Sequence, residues 1–456
     1  MNAIHFNAAL KIAAKYYSDA TASADDTAIY VIRDLLGRIT FAVDSEEANY
    51  PEKAKLILEG AADALGAFAS AKVVLFRDEV YNFDAFFREG QWHEAIVQYP
   101  TDGQKLITVS VPLMDRQITG QDWLSVSNAE KAQHPTRVVF YSLKGGVGRS
   151  TALVMLALHL AKQGKRVLLL DFDLESPGLS SLLLQSENAA SFGIVDWFVE
   201  DAVSQGTDVL RDMLTTSPLS DAVEGVIRVA SAAGLDEEDY LAKLSRTYAD
   251  LPSTEGVKRF AARMIQFVEA LEEQERPDVV LIDSRAGLHD LAAVSIVSLA
   301  DVALLFSANS QQNWDGYRHL FKHWQRIPDI ARQVRDRLQI VYGLFPETDQ
   351  EDRVKSFLRN SWDLFRDTLY DEIPAESSPG AIDAAPDGSD RFSFDESDVA
   401  APHFPWIVRW NQRFLEFDPL LPEEIGGLNA RDIENAYGSF LFNLDQWLIE
   451  RKNGAH

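Results

Sequence analysis

The sequence predicts an α/β fold: a three-layer arrangement with helices flanking a mostly parallel sheet, preceded by a small α+β N-terminal domain. Two stretches predict it. Residues 137–180 read RVVFYSLKGGVGRSTALVMLALHLAKQGKRVLLLDFDLESPGLS. The order is a short β-branched apolar run, a glycine-rich turn, an apolar helical pattern and a second short apolar run. Residues 277–291, PDVVLIDSRAGLHDL, add another apolar run that ends in a carboxylate. Strand, turn, helix and parallel strand in succession need crossover connections, which is the grammar of a sheet covered on both faces.

Taken in order, residues 1–130 form a unit of their own. Ile4, Phe6, Leu10, Ile12 and Tyr16 recur loosely as one helix face, and residues 28–32 and 39–43 read as strands around a hairpin at Leu36-Gly37. Tyr50-Pro51 opens a helix through residue 68, with the proline where a missing N–H costs least. Residues 72–76 and 106–111 are further strands. No catalytic spacing emerges, and His5 and His93 read as ordinary surface or core residues. The aromatic cluster Tyr81, Phe83, Phe86, Phe87 and Trp92 is either core or a partner-binding face. Residues 125–135, polar and ending in His134-Pro135, read as a linker.

The strand at 138–141 enters the turn Lys144-Gly145-Gly146-Val147-Gly148-Arg149-Ser150-Thr151. A loop that wraps a polyphosphate must turn its N–H groups inward, and glycines permit both the turn and the close approach. The helix that follows adds its positive N-terminal end, and runs through Leu153, Leu156, Ala157 and Leu160 to a stop at Gly164. Ser150 is placed to ligate Mg²⁺, as the hydroxyl of a phosphate-binding loop does. A strand at 167–170 then delivers Asp171 and Asp173, and the strand at 279–282 delivers Asp283. The loop departs from its consensus G-K-[ST] at Arg149, where a planar fork replaces a compact point charge.

On these residues the chain resembles the ParA/MinD family of P-loop ATPases with a deviant Walker A motif, in the variant branch spelled KGGVGR. The resemblance covers roughly residues 137–346 and leaves the N-terminal region unexplained. It implies bound ATP and Mg²⁺ and a nucleotide-sandwiched homodimer. Lys144 would cross to the partner's phosphates, Asp173 would position the attacking water, and Arg149 would hold phosphate. Gly145, Gly146, Val147, Gly148, Arg149, Ser150 and Thr151 would line the nucleotide, with Ser150, Asp171 and Asp283 at the metal. Ser284-Arg285-Ala286-Gly287 is similar to the family's γ-phosphate switch, with Arg285 either a phosphate contact or a structural ion pair. Residues 300–306 and 338–344 match the next two family strands, and Phe345-Pro346 falls where the family contacts the base.

Between residues 184 and 277, patterns read as helices at 192–203, 208–214, 236–248 and 255–271, with a strand at 225–230. The basic residues Lys322, Arg326, Arg332, Arg335 and Arg337 read as a solvated helix face rather than a DNA patch. Residues 371–398, acidic and rich in Pro, Ser and Gly, read as a mobile loop. Residues 429–451 form a terminal helix in which Tyr437, Phe440, Leu441, Leu444, Trp447 and Leu448 share a face. Its polar face is acidic rather than basic, so packing on the ATPase core is expected over membrane binding.

The 456 residues, 46% hydrophobic and 25% charged, suffice for two or three domains, assigned as 1–130 (sensing or docking) and 135–456 (ATPase). With no cysteine, disulfides and thiolate metal sites are excluded, and a cytoplasmic location is expected. A net charge of −27 argues against sequence-independent DNA binding and so against DNA partitioning. The functional expectation is an ATP-binding, ATP-hydrolysing switch that controls a protein partner through its N-terminal domain. The alternative is a hydrolysis-deficient nucleotide-binding scaffold in a multi-protein bacterial defence or signalling system.

Overall fold

The structure, a computed structural model, describes residues 4–452 apart from 25, 90–91, 102–104, 118–119, 125–133, 186–188, 236–238, 254–255, 372–390, 416, 424–426 and 428. Most of the expected linker and most of the expected acidic loop therefore lie outside the described residues. Two sheets organise the chain, each inside its own unit. The first unit is Met1–Ser125 with Lys322–Arg332, and the second is Val126–Phe321 with Gln333–His456. The segment Lys322–Arg332, assigned from sequence to the larger domain, clusters with the smaller.

In the first unit, β1 (Ile29–Arg33), β2 (Ile39–Val43), β3 (Ala69–Phe76), β4 (His93–Pro100) and β5 (Leu106–Asp115) form one sheet in the order β3-β2-β1-β5-β4. The β1–β2 hairpin is antiparallel, as read from Leu36-Gly37, and Gly37 takes φ 83° at its turn. Helices α1 (Phe6–Thr21) and α2 (Glu52–Leu65) supply Ala9, Ala13, Leu58 and Ala61 to a core shared with Val31, Phe41 and Val111. Small alanines let both helices lie close to the sheet. The aromatic cluster divides: Phe86, Phe87 and Trp92, of which Phe86 and Phe87 lie on α3 (Phe83–Glu89), pack with Tyr30, whereas Tyr81 is exposed.

In the second unit, β6 (Thr136–Ser142), β7 (Arg166–Phe172), β8 (Leu214–Thr216) and β9 (Val226–Ala230) precede the small hairpin of β10 (Leu251–Ser253) and β11 (Gly256–Lys258). Then follow β12 (Val279–Ser284), β13 (Val302–Ser307), β14 (Leu338–Phe345) and β15 (Trp406–Arg409). The large sheet runs β15-β14-β13-β6-β12-β7-β9-β8, parallel throughout except for β8 against β9. Its central strands β12 and β13 are buried at every position, the mark of a sheet covered on both faces. The expected helix at 208–214 is instead a short turn of helix and β8, and the helix expected from residue 255 begins only at Phe260, after β11. The helix Gln350–Arg366 has an apolar face narrow enough to have escaped the sequence reading.

The terminal helix Ala430–Lys452 lays Tyr437, Phe440, Leu441 and Leu444 into the core beside α4 (Arg149–Lys162), and its Asp445 meets His159 at 2.7 Å. Its apolar face is thus spent on packing. Among the described residues no helix is long and apolar enough to cross a membrane. Asp371 accepts from Arg335 and from the Phe392 N–H, so both ends of the acidic stretch are anchored.

His403 is fully buried. Tyr370 Oη reaches its Nδ1, and its Nε2 donates to the Glu396 carbonyl at 3.1 Å, a pairing that suits the neutral imidazole. Burial accordingly holds its pKa below the usual histidine value. A depressed histidine binds fewer protons folded than unfolded, so its stability is present above the unfolded pKa and lost as pH falls below it. The urea midpoint should therefore drop between pH 7.5 and 5.5, and His403→Gln should shallow that drop; equal slopes in both proteins would refute the assignment.

Candidate nucleotide-binding site

β6 ends at Ser142 and the chain crosses 143–148 to enter α4 at Arg149. Gly146 and Gly148 take φ 77° and 81°, a left-handed geometry that glycine adopts without strain. A Cβ at Gly145 or Gly146 would meet nothing within 4 Å, so the loop is open at these glycines. From behind, β14 supports it. A Cβ at Gly343 would strike the Val147 carbonyl at 2.3 Å, and the Leu344 side chain lies against Gly148.

The carboxylates reach this loop through strand register. Asp283 on β12 sits beside Asp171 on β7 and Phe140 on β6. Ser150 Oγ donates to Asp283 at 2.7 Å. Arg149, almost wholly buried, places Nε 2.6 Å from the other Asp283 oxygen and donates from Nη2 to Asp173 at 2.8 Å. Its guanidinium bridges the two acids. Burial opposes its charge, but Asp283 and Asp173 outweigh that and raise its pKa. Burial raises the Asp283 carboxyl, against the pull of Arg149 and Ser150.

Asp171 bonds to the backbone of the loop that follows it. Its carboxylate accepts from the N–H groups of Asp173, Gly178 and Leu179 at 3.1–3.2 Å. Asp171, expected at the metal, thus shapes the 173–179 loop. Complete burial, with Asp283 alongside, pushes its pKa up to about 8.

Phe345, expected near the base, is buried. The β14–β15 register shifts between Tyr342 and Phe345, and Leu344 takes φ 51°. That irregularity turns Leu344 outward and buries Phe345 against Tyr342 and under Arg409. Pro346 is half-buried and Thr151 sits half-buried in α4. Lys144 is exposed and makes no hydrogen bond or ion pair with the described residues.

The switch segment is tied to the loop strand. Gly287 N–H donates to the Ser142 carbonyl at 3.0 Å, and Tyr141 Oη donates to the Gly287 carbonyl at 3.1 Å. Of the two readings open for Arg285, the ion pair holds: it pairs with Glu175, which also accepts from Tyr248. Tyr240 Oη fastens the same stretch through the Leu174 carbonyl at 2.6 Å. Sequence reasoning missed Glu175, Tyr240 and Tyr248, since three residues so far apart meet only through folding. Gly343 carried a signal, a glycine inside a strand pattern.

Besides Arg149 Nε and Asp283 Oδ1, which meet as an ion pair without hydrogen-bond geometry, Ser142 Oγ, Ser284 Oγ and Arg149 Nη1 are buried with no hydrogen-bond partner among the described residues. Buried polar groups are rarely left so, and a ligand rich in acceptors would satisfy them. The open loop fits a polyphosphate, and Ser150 with Asp283 forms the oxygen pair suited to Mg²⁺. Among the described residues no set of three or more His, Asp or Glu holds metal geometry by itself, so the metal would need phosphate oxygens to complete its shell.

Comparison with known proteins agrees with this geometry. Residues 136–340 match a family model described as an AAA domain. The antiactivator FleN of Pseudomonas aeruginosa is 30% identical over 175 residues, 38% of this chain and 51% of that protein. The chain thus spans about half the length of this curated relative. Among solved structures, a ParA family ATPase from Chlorobium tepidum is 14% identical, covering 50% of this chain and 81% of that one with a TM-score of 0.35. The ATP complex of a substituted McdA from Cyanothece is 16% identical, over 50% and 80% of the two chains, with a TM-score of 0.33.

Arg149→Ala would leave Asp173 and Asp283 facing each other around an uncompensated buried site. The nucleotide-free variant should lose about 3 kcal/mol in urea unfolding at pH 7. Adding Asp283→Asn should restore part of it. A loss under about 1 kcal/mol would show that the bridge does not hold the site together.

Proposed function

We propose that this chain, whose residues 136–340 match an AAA-domain family model, is an ATP-binding and ATP-hydrolysing molecular switch of the ParA/MinD type. One observation carries the reading: Arg149 bridges the two acids that nucleotide chemistry would need, Asp173 and Asp283. Incoming phosphates offer Arg149 an alternative set of oxygens. Its transfer to them would release Asp283 to hold Mg²⁺ with Ser150 and free Asp173 to orient water. Bound Mg²⁺ would supply charge neutralisation for the β- and γ-phosphate oxygens.

The loop amides at 145–148 and the start of α4 would hold the phosphates by position and dipole. Lys144, exposed and without a partner among the described residues, is suited to reach the phosphates of a second copy in an ATP-dependent homodimer. The family resemblance supports this in-trans role. An antiactivator relative supports control of a protein partner, and the first unit is the part of the chain left over for docking it.

A second reading has its own observation. If Arg149 stays on Asp173 in the ATP state, the water-orienting acid is occupied, and the protein is a nucleotide-gated scaffold that hydrolyses nothing. DNA partitioning is disfavoured by the net charge of −27.

ATP turnover of the full chain beside Asp173→Ala, with mass from light scattering in ATP and in ADP, separates these readings. Turnover lost in the variant and an ATP-specific dimer are the expected results; ATP binding with no turnover in the wild type selects the scaffold. Lys144→Ala should abolish the ATP-specific dimer while leaving nucleotide affinity within about twofold, and an unchanged dimer would remove the in-trans role. Arg149→Lys should keep nucleotide binding and raise turnover by a few fold, because a point charge relinquishes Asp173 more readily than a fork. A fall in both would show a site built around the guanidinium.

A further inference from the structure

A cavity of about 670 Å³ opens wholly within the first unit, between the amino-terminal half of α1, the edge strand β4 and the segment Lys322–Arg332. Small-molecule sites occupy roughly 300–1,000 Å³. The floor is apolar, from Leu10, Ala95, Val97 and Leu113. The charged part of the lining is mostly cationic.

Lys11, Arg33, Lys322 and Arg326 line it, against one carboxylate, Asp115. Arg33 already grips Asp115 in a two-pronged pair, its Nε donating at 2.8 Å, so that carboxylate is spent. Lys11, Lys322 and Arg326 are left with no side-chain acceptor among the described residues. In a chain of net charge −27, three unpaired cations around one concavity are not a sample of the average surface.

The walls are also held in place. The Ile96 N–H of β4 donates to the Arg326 carbonyl at 3.1 Å, and Trp324 Nε1 donates to the Trp123 carbonyl at 3.0 Å. These bonds fix the cationic segment along the edge strand, so the cavity exists before any ligand arrives. His93 and His323 also line it, and burial lowers both their pKa values, with Arg326 lowering that of His323 further. The imidazoles are therefore neutral hydrogen-bonding groups, and the positive charge rests on Lys11, Lys322 and Arg326.

We infer that this cavity binds a small organic anion, an apolar body bearing an acidic group, with the body on the Leu10–Leu113 floor and the acid held by Lys11, Lys322 and Arg326. The site is separate from the phosphate loop and does not depend on the switch reading.

The test uses the full chain with saturating MgATP, so that the phosphate loop does not compete for the dye. The probes are 1-anilinonaphthalene-8-sulfonate and its uncharged counterpart N-phenyl-1-naphthylamine, followed by fluorescence titration with stoichiometry from equilibrium dialysis. The sulfonate should bind one per chain and at least about tenfold more tightly than the neutral dye. The double variant Lys322→Gln/Arg326→Gln, altered at exposed positions, should weaken the sulfonate at least about tenfold and leave the neutral dye within about twofold. Ala95→Trp, which fills the floor, should remove both. Equal affinity for the two dyes, or sulfonate binding unchanged in the double variant with an unshifted melting curve, would overturn the inference.

Discussion

A guanidinium buried between two carboxylates is the contact on which the second unit's site depends. Three acids, Asp171, Asp173 and Asp283, come to the carboxyl ends of adjacent parallel strands because strand register leaves them nowhere else to go. Packed so closely they repel, and burial deprives them of water. Asp171 is stabilised by backbone N–H groups, and Asp283 by Ser150 and Arg149. Take the guanidinium away and the end of the sheet carries charge it cannot solvate. The interaction is also conditional, since the same fork would bind phosphate oxygens as well as it binds carboxylates. Stability of the empty site and readiness for an anion therefore draw on one group.

Around that centre the supports are steric. Gly343 allows β14 to touch the Val147 carbonyl, and the break in register that follows sends Leu344 outward against Gly148. The switch segment hangs from β6 through Gly287 and Tyr141, and Glu175 gathers Arg285 and Tyr248 beside it. Movement of the 173–179 loop would be felt at Arg285 through that acid. The first unit carries a different electrostatic pattern, with a cationic cavity in an otherwise acidic protein.

Much of this was legible in order along the chain. The glycine loop, its helix and the strands ending in Asp171 and Asp283 follow from local apolar runs and from backbone geometry that only glycine adopts easily, and both are properties of adjacent residues. Strand β4 and the helix Gln350–Arg366 went unread because their apolar faces are thin, and the 251–258 hairpin because a nearby helical period masked it. The burial of Phe345 went unread for a sharper reason. One irregular residue inverts the parity of a strand, and nothing in the letters marks where the irregularity falls.

The sequence by itself determined the class of fold, the phosphate-binding loop and the identities of its serine and carboxylates, because those depend on spacing over a few residues and on the chemistry of each side chain. Only the tertiary structure decided that Arg149 lies on Asp173 and Asp283, that Asp171 is consumed by backbone amides, and that Lys322 and Arg326 close a cavity with α1 and β4. Apart from the Asp171 bonds, which span two to eight positions, these are pairings between residues from 24 to over 300 positions apart. Burial sets their strength, and burial is a property of the packed molecule that no local window of sequence contains.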